Sequence, residues 1–151
     1  MIKNSLRTYQ FQNSYRPKTS GDTNFVEVSS KNSRCSSMVG KQGGLQKLNI
    51  SHKSNCFHPR IIAHEFIHAL GFFHEQNRAD RDEFVKINMH NIQCDKRGNF
   101  HRKRNSDAFD VPYDYKSIMH YGSHLFSKNG EPTIVPKVNT ISLKSNFKKS
   151  S

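Results

Sequence analysis

Apolar residues are thin along most of this chain and crowd into one stretch, Phe57 to Phe73. Within it Ile62, Phe66, Ala69 and Phe73 recur at spacings of three and four. Side chains at that spacing share one face of an α-helix. Pro59 suits a first helical turn, where its missing N–H would have no partner anyway. Gly71 suits the left-handed backbone that ends a helix. The pattern predicts a helix that opens at Pro59, stops near Gly71 and buries the Ile62–Phe66–Ala69–Phe73 stripe.

The other signals are shorter. Phe25 to Val28 reads as a brief strand. Val39-Gly40 and Gly43-Gly44 read as a strand end and a turn. Leu48 and Ile50 alternate with Lys47, Asn49 and Ser51, as in a half-exposed strand. Phe84, Val85 and Ile87 form a small apolar patch, residues 91–110 read as charged loop, and 112–121 as an aromatic-rich ordered turn. Residues 1–23 are expected to be poorly ordered, 24–136 to form the folded domain, and 137–151 to be a basic, loose tail. One core around the helix is expected.

Composition narrows the partners. Only 33% of residues are hydrophobic, which agrees with a single modest core. The net charge is +12, so acidic partners such as anionic polysaccharide, nucleic acid or acidic peptides come into view. Nucleic acid is disfavoured, because the cluster His101-Arg102-Lys103-Arg104 has no interleaved aromatic side chains for stacking bases. Solvated basic loops are the plainer reading of these clusters. No stretch has transmembrane length, and Met1 to Arg7 carry no signal-peptide core. There are three cysteines, Cys35, Cys56 and Cys94, so at least one lacks a partner within the chain. A Cys35–Cys56 bridge and three reduced thiols both remain open. The triplet Asn49-Ile50-Ser51 fits glycosylation but falls in an expected strand.

The chemistry concentrates in His64-Glu65-Phe66-Ile67-His68-Ala69-Leu70-Gly71-Phe72-Phe73-His74-Glu75. Four residues apart on a helix, His64 and His68 can face one metal ion. A sharp bend at Gly71 lets His74 return as a third ligand. Three protein ligands with an open position describe a catalytic zinc site, for one Zn2+ per chain. Glu65 stands beside the first ligand, where its carboxylate can take the proton of a water activated at the metal. Nine histidines make a bare His-Glu-x-x-His moderate evidence; Gly71 and His74 make it strong. Further on, Ser117-Ile118-Met119-His120-Tyr121 can supply Met119 as an apolar floor and Tyr121 as a nearby hydroxyl. His120 reads as a packed histidine rather than a ligand. Glu75, Arg78, Asp80, Arg81 and Asp82 carry alternating charge and on their own read as a solvated, salt-bridged turn rather than catalytic groups.

The run His64 to Asp82, together with Pro112 to Gly122, resembles the astacin family of metzincin zinc metallopeptidases, over roughly Phe25 to Pro136. The resemblance makes 24–136 a partial peptidase domain and implies an α+β, metzincin-like fold. It would have a small mixed β-sheet, a zinc-binding active-site helix and an irregular C-terminal subdomain carrying the Met-turn. It implies His64, His68 and His74 as zinc ligands and Glu65 as catalytic. Tyr121 would be an extra ligand that swings off to stabilise the oxyanion, and Met119 the Met-turn residue. It suggests that Glu75, Arg78, Asp80, Arg81 and Asp82 brace the segment after His74. It also implies a Cys35–Cys56 disulfide, which leaves Cys94 over, and a secreted endopeptidase acting on proteins or peptides. Because relatives often favour acidic residues after the cleavage point, Lys144 and Lys148 are candidate pocket residues, although the tail reading is plainer. Compared with the family, the domain is expected to be truncated at both ends. It would lack an N-terminal strand, a long backing helix, a second disulfide and a C-terminal helix. A competing expectation follows: a catalytically inactive remnant that keeps zinc and binds anionic partners through its basic surface.

Overall fold

The computed structural model describes residues 16–104, 108, 110–138 and 143. Of the expectations above, those on residues 1–15, on Lys144 and Lys148, and on most of the tail lie outside the described residues. The architecture is α+β. Strand β1 (Phe25–Ser29) pairs in parallel with β2 (Leu45–Asn49), Phe25 opposite Leu45 and Val28 opposite Leu48. An antiparallel bridge between Ser36 and Asn49 makes this small sheet mixed. Helix α1 (Pro59–Ala69) follows, and then the short strand β3 (Val85–Ile87) pairs antiparallel with β4 (Ile134–Pro136). Short 3-10 segments flank β3 in sequence on both sides, the longest at Cys94–Phe100.

Two cores form where the sequence suggested one. The upper core holds Leu48, Ile50, Cys56 and Ala69, with Val26, Ile61 and Ile62 against it. The lower core is larger and almost free of helix: Val85, Ile92, Phe100, Tyr113, Tyr121, Ile134 and Leu143. Its members are scattered singly through charged sequence, which is why composition hid it. Phe100 and Ile134 are fully buried, each worth about 1.5–3 kcal/mol relative to exposure.

The helix corrects its predicted burial. Ile62 and Ala69 do face the upper core, but Phe66 and Phe73 remain 39% and 41% exposed. The buried flank is polar instead, made of His64, Glu65 and His68 beside Ala69. Phe73 lies beyond the helix end, where the Lys103 ammonium sits 5.0 Å from its ring centroid. The helix needed two inward flanks, one apolar for the sheet and one for chemistry, so a single stripe could not describe it. Ser51, expected on the solvent side, is also fully buried, since β2 ends at Asn49 before the alternation can continue.

Both helix ends follow from local residues. His58 caps the start, its Nδ1 accepting the Arg60 N–H, and Pro59 takes the first helical position. At the other end Gly71 N–H donates to the His68 carbonyl and Phe72 N–H to the Ile67 carbonyl. That paired pattern is the Schellman motif, which requires a left-handed residue; Gly71 has φ +104°. The Gly40 N–H also donates to the His68 carbonyl, at 2.8 Å. Gly71→Ala is therefore expected to lower stability by about 1–2 kcal/mol, the cost of a side chain in left-handed backbone. It should also weaken zinc binding, because Gly71 aims His74. Thermal melts and zinc titrations of the two proteins would check both effects.

Cys35 and Cys56 are joined in a disulfide, with Cα atoms 5.7 Å apart and a sequence separation of 21. Closing a loop of that size restricts the unfolded chain by about 3 kcal/mol. Cys94 is free and exposed. The Asn49 side-chain amide donates to Ser36 Oγ within the small sheet, in keeping with its strand reading.

Candidate metal centre

His64, His68 and His74 come together as the helix and the following bend dictate. One nitrogen from each lies within 4.8 Å of the others. The ring centroids of His64 and His68 are 4.6 Å apart, those of His68 and His74 also 4.6 Å. His64 Nδ1–H donates to the Ile118 carbonyl at 2.9 Å, and His68 Nδ1–H to the Phe72 carbonyl at 2.8 Å. A carbonyl can only accept, so both rings carry their proton on Nδ1 and keep the Nε2 lone pair free. His74 is held by the Asn77 side chain.

The arrangement fits a metal. His64 Nε2 and His74 Nε2 face each other at 3.3 Å. Two nitrogens bound about 2.05 Å from one tetrahedral zinc would be separated by about 3.3 Å. The electrostatics agree. Burial, with smaller contributions from the neighbouring rings, depresses His64 to about 4 and His74 to about 2, and burial also lowers His68. All three imidazoles are thus neutral at neutral pH, the form a metal requires.

Glu65 lies on the same buried flank, 6% exposed. Burial raises its carboxyl to about 7, partly offset by a hydrogen bond from the Ser37 N–H. A proton acceptor near neutrality next to a metal triad is what hydrolysis at a carbonyl needs.

Residues 1–148 match the model of the peptidase family Astacin. The chain belongs to the astacin family. It is 42% identical over 155 residues to the zinc metalloproteinase nas-15 of Caenorhabditis elegans, covering 99% of this chain and 27% of that protein. It is 40% identical over 143 residues to human (Homo sapiens) meprin A subunit beta, covering 91% of this chain and 20% of the relative. Among solved structures, high choriolytic enzyme 1, a hatching enzyme zinc-protease of Oryzias latipes, superposes with a TM-score of 0.75 at 42% identity. That match covers 82% of this chain and 60% of the other. The chain spans between a fifth and about a quarter of the length of these two curated relatives.

In this astacin the histidine triad, with zinc as its cofactor, sits on the seam between the two cores. Hydrogen bonds tie that seam. Ile118, from the lower half, orients His64, and the Met119 carbonyl accepts the Glu75 N–H at 3.0 Å. Met119 is 5% exposed and Tyr121 8%. The Tyr121 ring lies 4.4 Å from that of His74, and burial pushes its hydroxyl up to about 12.

The charges after His74 brace that segment, as the resemblance implied. Arg78 donates to Glu75 Oε1 at 3.0 Å and to Asp80 through two nitrogens. Arg81 reaches the Gln76 and Phe100 carbonyls, and Asp82. His120 is packed, as expected, with Nε2 accepting the Tyr113 hydroxyl at 2.7 Å. Sequence reasoning missed Asn77, which also donates to the Asn99 and His101 carbonyls. It missed the Ser37 N–H and the Ile118 and Phe72 carbonyls as well. Backbone groups leave no signature in residue identity, and Asn77 stood out only by closeness to His74. No helix among the described residues is long and apolar enough to cross a membrane.

Proposed function

We propose that this chain forms the working part of a zinc-dependent endopeptidase that cleaves internal bonds of protein or peptide substrates. The observation that carries this reading is the convergence of three neutral imidazoles beside one buried carboxylate of raised pKa. When bound, zinc supplies a Lewis acid for the scissile carbonyl and makes water a better nucleophile. His64, His68 and His74 would hold the ion through their Nε2 atoms. Glu65 accepts the proton of the attacking water and passes it to the departing amine. Tyr121 would serve as an additional ligand at rest, and its hydroxyl would donate to the developing oxyanion. That hydroxyl is protonated at neutral pH, and burial raises its pKa further. Met119 closes the apolar floor of the site. The Cys35–Cys56 disulfide supports an oxidising, extracellular setting.

The test is cleavage of an unstructured peptide by the purified chain. Activity should vanish after dialysis against a chelator and return with one equivalent of zinc. Turnover that survives complete metal removal would defeat the proposal. Stoichiometric zinc with no turnover would favour the alternative of a zinc-keeping binding protein.

A further inference from the structure

Tyr121 is gripped by its backbone from two sides. Its N–H donates to Gln76 Oε1 at 3.1 Å. Its carbonyl accepts the His120 Nδ1–H at 2.6 Å, and His120 is itself fixed by the Tyr113 hydroxyl. Gln76 is fully buried and lies two residues after His74, so it ties the third histidine's own segment to the tyrosine. Only the amide oxygen can receive the Tyr121 N–H. The orientation of the Gln76 amide is thereby set, and its buried Nε2 finds no hydrogen-bond partner among the described residues.

An unsatisfied buried donor is a cost to folding. A methionine of similar length would fill the same space without stranding that Nε2. Core packing alone therefore gives no reason for an amide at this position. The acceptor does: it fixes the peptide from which the Tyr121 ring swings. We propose that Gln76 is a positioning residue for Tyr121, holding the tyrosine's peptide in register with His74 while His120 holds the other side. This rests on the reading of Tyr121 as the group that stabilises the oxyanion. Gln76 touches neither substrate nor metal in this scheme.

The experiment compares Gln76→Met, Tyr121→Phe, the double variant and Gln76→Glu in the zinc-loaded chain. Gln76→Met is expected to lower kcat about tenfold, with KM within about twofold and zinc stoichiometry unchanged. In the Tyr121→Phe background the same substitution should cost less than about twofold, because the group it positions is gone. Hydrogen exchange at the Tyr121 amide gives a readout independent of turnover. It should accelerate at least about tenfold in Gln76→Met and stay protected in Gln76→Glu, which keeps the acceptor oxygen. Equal losses in both backgrounds, or unchanged amide exchange in Gln76→Met, would overturn the proposal and leave the Tyr121 reading intact. A Tyr121→Phe variant as fast as wild type would overturn both. Should Gln76→Met fail to fold, exchange in Gln76→Glu decides: retained protection supports the clamp, and lost protection overturns it.

Discussion

Glu65→Gln is expected to lower kcat/KM by about 10²–10⁴, the usual worth of a positioned general base, while zinc content stays at one per chain. The amide keeps the shape of the carboxylate and an oxygen for the Ser37 N–H, so the helix has no reason to shift. It cannot take a proton from water. Stability should not fall, since the substitution removes a buried carboxyl whose pKa is raised to about 7 by burial. Measuring kcat/KM, bound zinc and the melting temperature on one preparation separates these effects. A variant within tenfold of wild type would strike Glu65 from the mechanism. A variant without zinc would make the result a statement about the metal site.

The metal-free chain is expected to lose stability as pH falls below about 6.5. His64 and His74 have depressed pKa values in the folded state, so the unfolded chain binds protons that the native chain refuses. Stability therefore rises with pH between the folded values, about 4 for His64 and about 2 for His74, and the ordinary histidine value of 6.5. Glu65 works in the opposite sense. Its raised pKa lends stability below about 4.5 that is lost as pH rises through about 7. From pH 6.5 to about 4.5 the depressed histidines, with His68 and His120 adding to His64 and His74, outnumber the raised carboxyls Glu65 and Glu75, so stability falls as pH falls. Urea unfolding of the chelated chain at three pH values across this window should show the slope, and Glu65→Gln should steepen it. With zinc present, protons and metal compete for the same nitrogens, so metal release belongs to the same acid range. A flat profile would mean the imidazoles are not buried together.

How much of this was legible beforehand depends on how local each feature is. The triad was readable because its ligands lie on one helix and the turn after it, and Gly71 fixes that turn through its own backbone preference. β1 and β3 were visible as short apolar runs. β4 and the segment Cys94–Phe100 were not, because Phe100 and Ile134 are isolated apolar residues whose partners are distant in sequence. Helix periodicity misled at Phe66 and Phe73, since it counts apolar side chains and ignores a flank reserved for metal chemistry. Resemblance suggested the pairing of Cys35 with Cys56 where spacing alone left it open, and the structure has that bridge.

The orientation of the three imidazoles is unequally exposed to evolutionary drift. His64 and His68 are aimed by the carbonyls of Ile118 and Phe72, and a carbonyl is present whatever side chain its residue carries. Those two rings can keep their heading while neighbouring letters change. Among the described residues His74 has no such backbone carbonyl on its ring, and the polar group that acts on it there is the side chain of Asn77, which a single codon change can delete. Loss of metal affinity through neutral-looking variation near this centre should therefore enter by the third ring.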